Sequence, residues 1–330
     1  MNSKIFSLQS PLAAVVLCFS LVACNNLPDA ESSLASTTPK PTRPLPVACS
    51  SPSLRSQIEK IAARTGGPVG VAVGLVDGGE VVASNGQQHF PMQSVYKLPI
   101  GMAVLQQIDK GTLKLEQTIS IKPIEYVRIG QHSPIRDKHP RGAELSLAQI
   151  LKYAVSDSDG TASDVLMRVA GGAAVIRKYL QELGIDGIMV LDTEKEIGKS
   201  VEVQYRNWAT PEAALALLKV VAEGRSLSPQ SQKLLSELMT ETPTGPKRIK
   251  GLLPPGTLVA HKTGTGLGGG LTRAVNDIGL VTLPDGKRLA IAVFVSDTKL
   301  NSEACEAVIA EISRAAWDCW TKPEVSSPAS

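Results

Sequence analysis

Strand-like sequence in this chain is confined to two regions separated by a long helical stretch, and that division decides which folds remain open. Val69 to Val76 is a β-rich run that turns at Asp77-Gly78-Gly79 into a second run, Glu80 to Ala83. Far downstream, Thr257 to Lys262, Ile278 to Leu283 and Leu289 to Val295 read as three more strands, the last two joined by the turn Leu283-Pro284-Asp285-Gly286. Between them the helical pattern covers Ser94 to Lys110, Ser146 to Val155, Thr161 to Val169, Ala173 to Leu183, Thr210 to Ala222 and Ser228 to Met239. Residues 52–64 and 302–318 add helices at the margins of the strands. Strands drawn from distant segments must meet in one sheet. The expected fold is therefore of the α/β (α+β) class: a five-stranded antiparallel sheet flanked by helices, with an all-helical subdomain inserted. The expected boundaries are 49–91 with 251–322 for the α/β subdomain and 92–250 for the all-α one.

The N-terminus reads as a targeting device and stands outside this fold. Lys4 precedes an almost entirely apolar run from Pro11 to Ala23, too short for a mature membrane span of about 20 residues. Residues 1–23 are thus expected to be a signal peptide. Leu21-Val22-Ala23-Cys24 resembles a bacterial lipobox, in which Cys24 carries lipid; a plain secretory signal is the alternative. Residues 24–48, rich in Ser, Thr, Pro and Ala, read as a tether or a disordered mature N-terminus, and 323–330 as a disordered tail. Either signal sends the protein out of the cytoplasm. Cys305 and Cys319 would lie roughly 20 Å apart along one helix at ~1.5 Å per residue, so Cys49 can bridge to only one of them. A Cys49 to Cys319 staple and three unpaired thiols both remain open. The net charge of +3, from 34 Lys plus Arg against 31 Asp plus Glu, carries no electrostatic footprint for nucleic acid.

Three clusters carry the chemistry. Ser94-Val95-Tyr96-Lys97 opens a helix, so Lys97 lies one turn from Ser94 on the same face, and the helix N-terminus favours the anion that a serine nucleophile develops. A second such spacing, Ser296 to Lys299, ends a strand and sends its lysine into a turn. Ser156-Asp157-Ser158-Asp159 offers one dipeptide twice; the Ser158 register continues through Gly160 into a helix and supplies a hydroxyl with proton-relay reach. Lys262-Thr263-Gly264-Thr265-Gly266 sits where a strand leaves the sheet, with an ammonium for a substrate carboxylate and glycines that let substrate approach the backbone. His89, His132, His139 and His261 are scattered and lack zinc-ligand spacing.

In this order the clusters resemble those of class A serine β-lactamases and penicillin-binding proteins. The resemblance covers roughly residues 50 to 320 and points to the extended-spectrum branch with a Ser-Pro-Ile-Arg-Asp-Lys segment, here Ser133 to Lys138. It implies hydrolysis of the β-lactam amide of penicillins and cephalosporins through a Ser94 acyl-enzyme, with Lys97 beside the nucleophile and Ser158 passing a proton to the leaving nitrogen. Lys262, Thr263, Gly264, Thr265 and Arg248 would bind substrate, and the backbone N–H groups of Ser94 and Thr265 would form the oxyanion hole. Matching the family's Ω-loop makes Glu194 the base that activates the deacylating water, with Glu196 as the alternative register. The resemblance further implies no cofactor and no metal, a small-molecule β-lactam partner, a monomer, and a periplasmic lipoprotein. A penicillin-binding DD-peptidase, or an inactive lipid-tethered binding protein, are the competing readings. Two positions depart from the pattern. Gly160 replaces an asparagine that contacts substrate, and Gly198 replaces the residue that helps hold the hydrolytic water; each lost contact is worth ~1–3 kcal/mol.

Overall fold

The computed structural model describes residues 51–321. The signal, the tether, Cys24, Cys49 and the tail from 323 lie outside the described residues. Helix α1 (Ser51–Ala63) leads into strands β1 (Val69–Leu75) and β2 (Val82–Ser84). The chain then passes through β3 (Phe90–Pro91), α2 (Lys97–Asp109), β4 (Thr118–Ile121), α3 (Pro134–Lys138), β5 (Ala143–Ser146), α4 (Leu147–Val155), α5 (Gly160–Ala170) and α6 (Ala173–Glu182). Next come β6 (Ile188–Met189), α7 (Glu194–Ile197), β7 (Trp208–Ala209), α8 (Pro211–Glu223) and α9 (Pro229–Thr240). It returns through β8 (Val259–Gly268), β9 (Leu271–Thr282), β10 (Arg288–Thr298) and α10 (Ser302–Thr321). The expected sheet is present: five strands in the order β2-β1-β10-β9-β8, antiparallel throughout.

The alternation of side chains along the central strands explains how one sheet serves two cores. On β10, Leu289, Ile291, Val293 and Val295 face α1 and α10, packing with Leu54, Ile58, Ile309 and Ile312. Ala290, Ala292 and Phe294 face the opposite way, toward the helical block around α2, α4, α5 and α8. The small alanines let α8 approach the sheet closely. Local signals define the helix ends. Ser146 and Gln149 form a reciprocal capping box before α4, Asp159 caps α5 by accepting from Ala162 N at 2.9 Å, and Gly171 closes α5 at φ +101°.

Two expectations need correction. The central region is not wholly helical, because β3, β7 and β6 pair in one small sheet and β4 with β5 in another. The strand expected at Thr257 to Lys262 does not leave the sheet at the lysine. It runs to Gly268 as the edge strand and turns through Gly269 (φ +61°) and Gly270 (φ +74°) into β9, which starts at Leu271 rather than Ile278. Gly264, Gly266 and Gly268 weaken the local strand signal, yet ten register pairs between β8 and β9 hold the whole strand extended. Cys319 is disulfide-bonded and Cys305 is a buried free thiol.

Candidate active site

The turn that carries Ser94 is held by packing against the sheet. Gln93 to Tyr96 forms a 3₁₀ turn preceding α2, and Gln93 adopts φ +48°, a left-handed conformation that a non-glycine residue keeps only when its surroundings impose it. Those surroundings are β8 and β9. Asn276 Nδ2 donates to Pro91 O (2.8 Å) and Met92 O (3.1 Å). Gly264 lies so close that a Cβ there would sit 2.3 Å from Met92 O and 3.3 Å from Ser94 N. Only a glycine in the edge strand lets it reach the serine.

Lys97, 1% exposed, spends its donors within the site: 2.9 Å to Ser94 Oγ, 2.7 Å to Ser158 O, and an ion pair of 3.2 Å with Glu194 Oε2. Ser158 sits at φ +60°, and its Oγ accepts from Lys262 Nζ at 2.9 Å. Ser156 points elsewhere, donating to Leu238 O. Lys262 is fully buried; burial first, then the neighbouring Lys97 charge, holds its ammonium well below the ordinary lysine pKa. Behind it, His261 Nδ1 bonds the Asp277 carboxylate at 2.9 Å, and that carboxylate also accepts from Ile249 N at 3.2 Å. One acid therefore touches the residue before Lys262 and the residue after Arg248. Arg248 is 5% exposed and lies along β8, donating to Gly264 O (3.0 Å), Asn276 O (2.9 Å) and Thr265 Oγ1 (2.7 Å), with Glu306 at 3.1 Å. Thr263 Oγ1 is 2.7 Å from Thr244 Oγ1.

Glu194 opens α7 behind an N-cap from Thr193. Its carboxylate accepts from Tyr96 OH at 2.9 Å, and burial together with that carboxylate pushes the phenol pKa well up, so Tyr96 remains a neutral donor. Asp164 staples the segment, accepting from Glu194 N (2.6 Å) and Lys195 N (3.0 Å). Burial raises the Asp164 pKa to about 7. Glu196, the alternative register, instead pairs with Lys199 at 2.6 Å on the outside.

Ser94, Lys97, Ser158, Glu194, Arg248, Thr263 and Thr265 line one cleft, with Gln93, Gln131, Gly198 and Gln204 completing its walls. Gly160 lies beneath it: a Cβ there would meet Glu194 Cγ at 2.6 Å. Across the lower wall, Gln93 Nε2 donates to Gln204 Oε1 at 2.8 Å. Among the described residues, no three His, Cys, Asp or Glu side chains gather as a metal site. Tyr96, Gln131, Asp164, Asn276 and Asp277 were not anticipated from sequence. Asn276-Asp277 carried a signal, as a polar pair inside an otherwise apolar run; Gln131, in a polar loop, carried none.

The family model described as "Beta-lactamase enzyme family" matches residues 53–320. The chain is 43% identical over 270 residues to the extended-spectrum β-lactamase PER-1 of Pseudomonas aeruginosa, covering 81% of this chain and 87% of that one. With β-lactamase VEB-1 of the same organism the identity is 39% over 269 residues, covering 81% and 90%. Among solved structures, a β-lactamase from Chitinophaga pinensis superposes with a TM-score of 0.79 at 46% identity over 81% of this chain and 99% of the other. The TLA-1 extended-spectrum β-lactamase gives 0.80 at 43%, over 82% and 99%.

Proposed function

This chain belongs to the class A serine β-lactamases and hydrolyses β-lactams, and on that basis we propose the division of labour among its residues. Ser94 Oγ attacks the lactam carbonyl carbon while Lys97, in relay with Glu194, accepts its proton. The C–N bond breaks, Ser158 hands a proton to the leaving nitrogen, and Lys262 resupplies Ser158 across their 2.9 Å contact. The backbone N–H groups of Ser94 and Thr265 stabilise the oxyanion. Lys262 and Arg248, with Thr263 and Thr265, hold the substrate carboxylate, and Gly264 admits the ring against β8.

Deacylation separates a hydrolase from a DD-peptidase, and one observation supports the hydrolase. Lys97 Nζ bridges Ser94 Oγ at 2.9 Å and Glu194 Oε2 at 3.2 Å, which puts a carboxylate base within one side chain of the ester to be cleaved. Penicillins and cephalosporins are the expected substrates. A β-lactam adduct seen by intact mass should vanish in Ser94→Ala. An adduct that persists there refutes Ser94 as the nucleophile, and the absence of any adduct or hydrolysis in the wild type leaves the binding-protein reading standing. We also propose a monomer on the periplasmic side, and the lipobox-like tetrad supports a tether through Cys24 and residues 24–48. Cys24→Ala should then move activity from the membrane to the soluble fraction.

A further inference from the structure

Gln131 stands beside Gly198, one of the two glycines that break the family pattern, and the next residue, His132, accepts from the N–H of the other, Gly160, at 2.9 Å. Its Nε2 donates to Glu194 O at 2.5 Å, which fixes the amide: nitrogen toward the carbonyl, Oε1 away from it. That Oε1 is buried and receives no hydrogen bond from any protein group. Four buried side-chain atoms share this state among the described residues: Gln131 Oε1, Asp192 Oδ2, His261 Nε2 and Asn276 Oδ1. Of these residues, only Gln131 lines the cleft that holds Ser94 and Glu194. A buried acceptor without a donor is costly, and it is retained where the donor arrives with the reaction.

The glycines make this placement available. A Cβ at Gly198 would lie 2.5 Å from Gln131 Oε1 and 2.6 Å from its Nε2, so the amide fills space that any side chain at 198 would claim. Gly160 does the same for the acid, since Glu194 Cγ lies 2.6 Å from where its Cβ would be. Gln131, Glu194, Gly160 and Gly198 are one packing arrangement.

We propose that Gln131 Oε1 is the second acceptor for the water that deacylates the Ser94 ester. The inference rests on the assignment of Glu194 as base. A water attacking an ester has two O–H bonds to place. Glu194 receives one and takes that proton; Gln131 Oε1 receives the other and leaves a lone pair directed at the carbonyl carbon. The new C–O bond forms as the carbonyl electron pair moves onto oxygen. Collapse of that intermediate breaks the bond to Ser94 Oγ, which takes a proton back through Lys97, and the product leaves as a carboxylic acid. Nothing is oxidised or reduced.

Acylation and deacylation rate constants, measured by rapid quench and intact mass with a chromogenic cephalosporin, test this in Gln131→Met, Gln131→Ala, Gly198→Asn, the Gln131→Ala/Gly198→Asn pair, and Glu194→Gln. Gln131→Met keeps length and removes the acceptor; deacylation should fall about ten- to a hundredfold while acylation stays within about twofold, lowering kcat and KM together. Gly198→Asn alone should also slow deacylation, because it displaces Gln131. Placed on Gln131→Ala, where that space is free, the same substitution should restore at least about tenfold of the lost rate. Wild-type deacylation in Gln131→Met, an equal fall of both steps, or absence of rescue would overturn the proposal. If Glu194→Gln accumulates acyl-enzyme while Gln131→Met does not, only the role of Gln131 falls. If Glu194→Gln deacylates normally, the base assignment fails and takes this inference with it.

Discussion

Gly160 illustrates how a missing side chain can be a requirement rather than a loss. On the family pattern its asparagine is absent, which by itself removes a substrate contact. In the folded chain, however, the Cβ position is 2.6 Å from Glu194 Cγ and 3.3 Å from both His132 O and Val127 Cγ1. Restoring the asparagine therefore overpacks the site, at a cost of about 1–3 kcal/mol. Gly160→Asn should lower kcat at least about tenfold and lower the thermal midpoint, both measurable on purified protein; a kcat above wild type would contradict the packing argument. At this scale the sequence was legible where chemistry dictates residue type. Ser94, Lys97, Ser158 and Lys262, which the fold brings within hydrogen-bond reach in two pairs, stood out as candidates because a nucleophile, its amine, a relay hydroxyl and a cation would need those side chains at those spacings. Gln131 and Asp164 were not, because their roles come from a through-space approach to Glu194 from sites 63 and 30 residues away.

Among the elements, the segment carrying Glu194 and the β8–β9 hairpin behave differently. The Glu194 segment is short, and its placement depends on Asp164 from α5 and Thr193 at its own cap. The Asp164 carboxyl has a folded-state pKa of about 7, raised chiefly by burial and offset in part by the Lys195 and Glu194 N–H groups it accepts from, against ~3.9 in an unfolded chain. The folded state binds this proton more tightly, so the stability it contributes is full below about pH 4 and is lost as pH rises through about 7. Asp164→Asn offers one acceptor to two N–H donors and should lower stability by ~1–3 kcal/mol. The gap to wild type should narrow between pH 5 and 8 in denaturant titrations; a gap that widens would contradict the assignment. For the hairpin, the apolar halves of β9 and β10 were readable from sequence, whereas Thr263 to Gly268 resembled a turn. Pairing with Leu271 to Asp277 makes it the edge strand of the sheet.

For the whole molecule, the sheet separates two cores, and the cleft gathers the start of α2, the start of α5, α7 and β8 from segments far apart in the chain. The division into strands and a central helical block was legible because short, continuous apolar β-branched runs bounded by turn residues give way across it to a 3.6-residue hydrophobic period. The small sheet built from 90–91, 188–189 and 208–209 was not, since two-residue strands leave no period to read. The disulfide at Cys319 fastens the end of α10, which covers the outer core. Reduction should lower unfolding stability by ~2–4 kcal/mol, read as a fall in thermal midpoint with reductant; an unchanged midpoint would argue against a stabilising role. The central claim is that a carboxylate beside Lys97 releases the acyl group from Ser94. The most direct test follows the mass of Glu194→Gln after one pulse of excess cephalosporin. A Ser94 adduct should form and then persist at least a hundredfold longer than in wild type, on the order of 3 kcal/mol in the deacylation barrier; an adduct that clears at the wild-type rate would rule Glu194 out as the base.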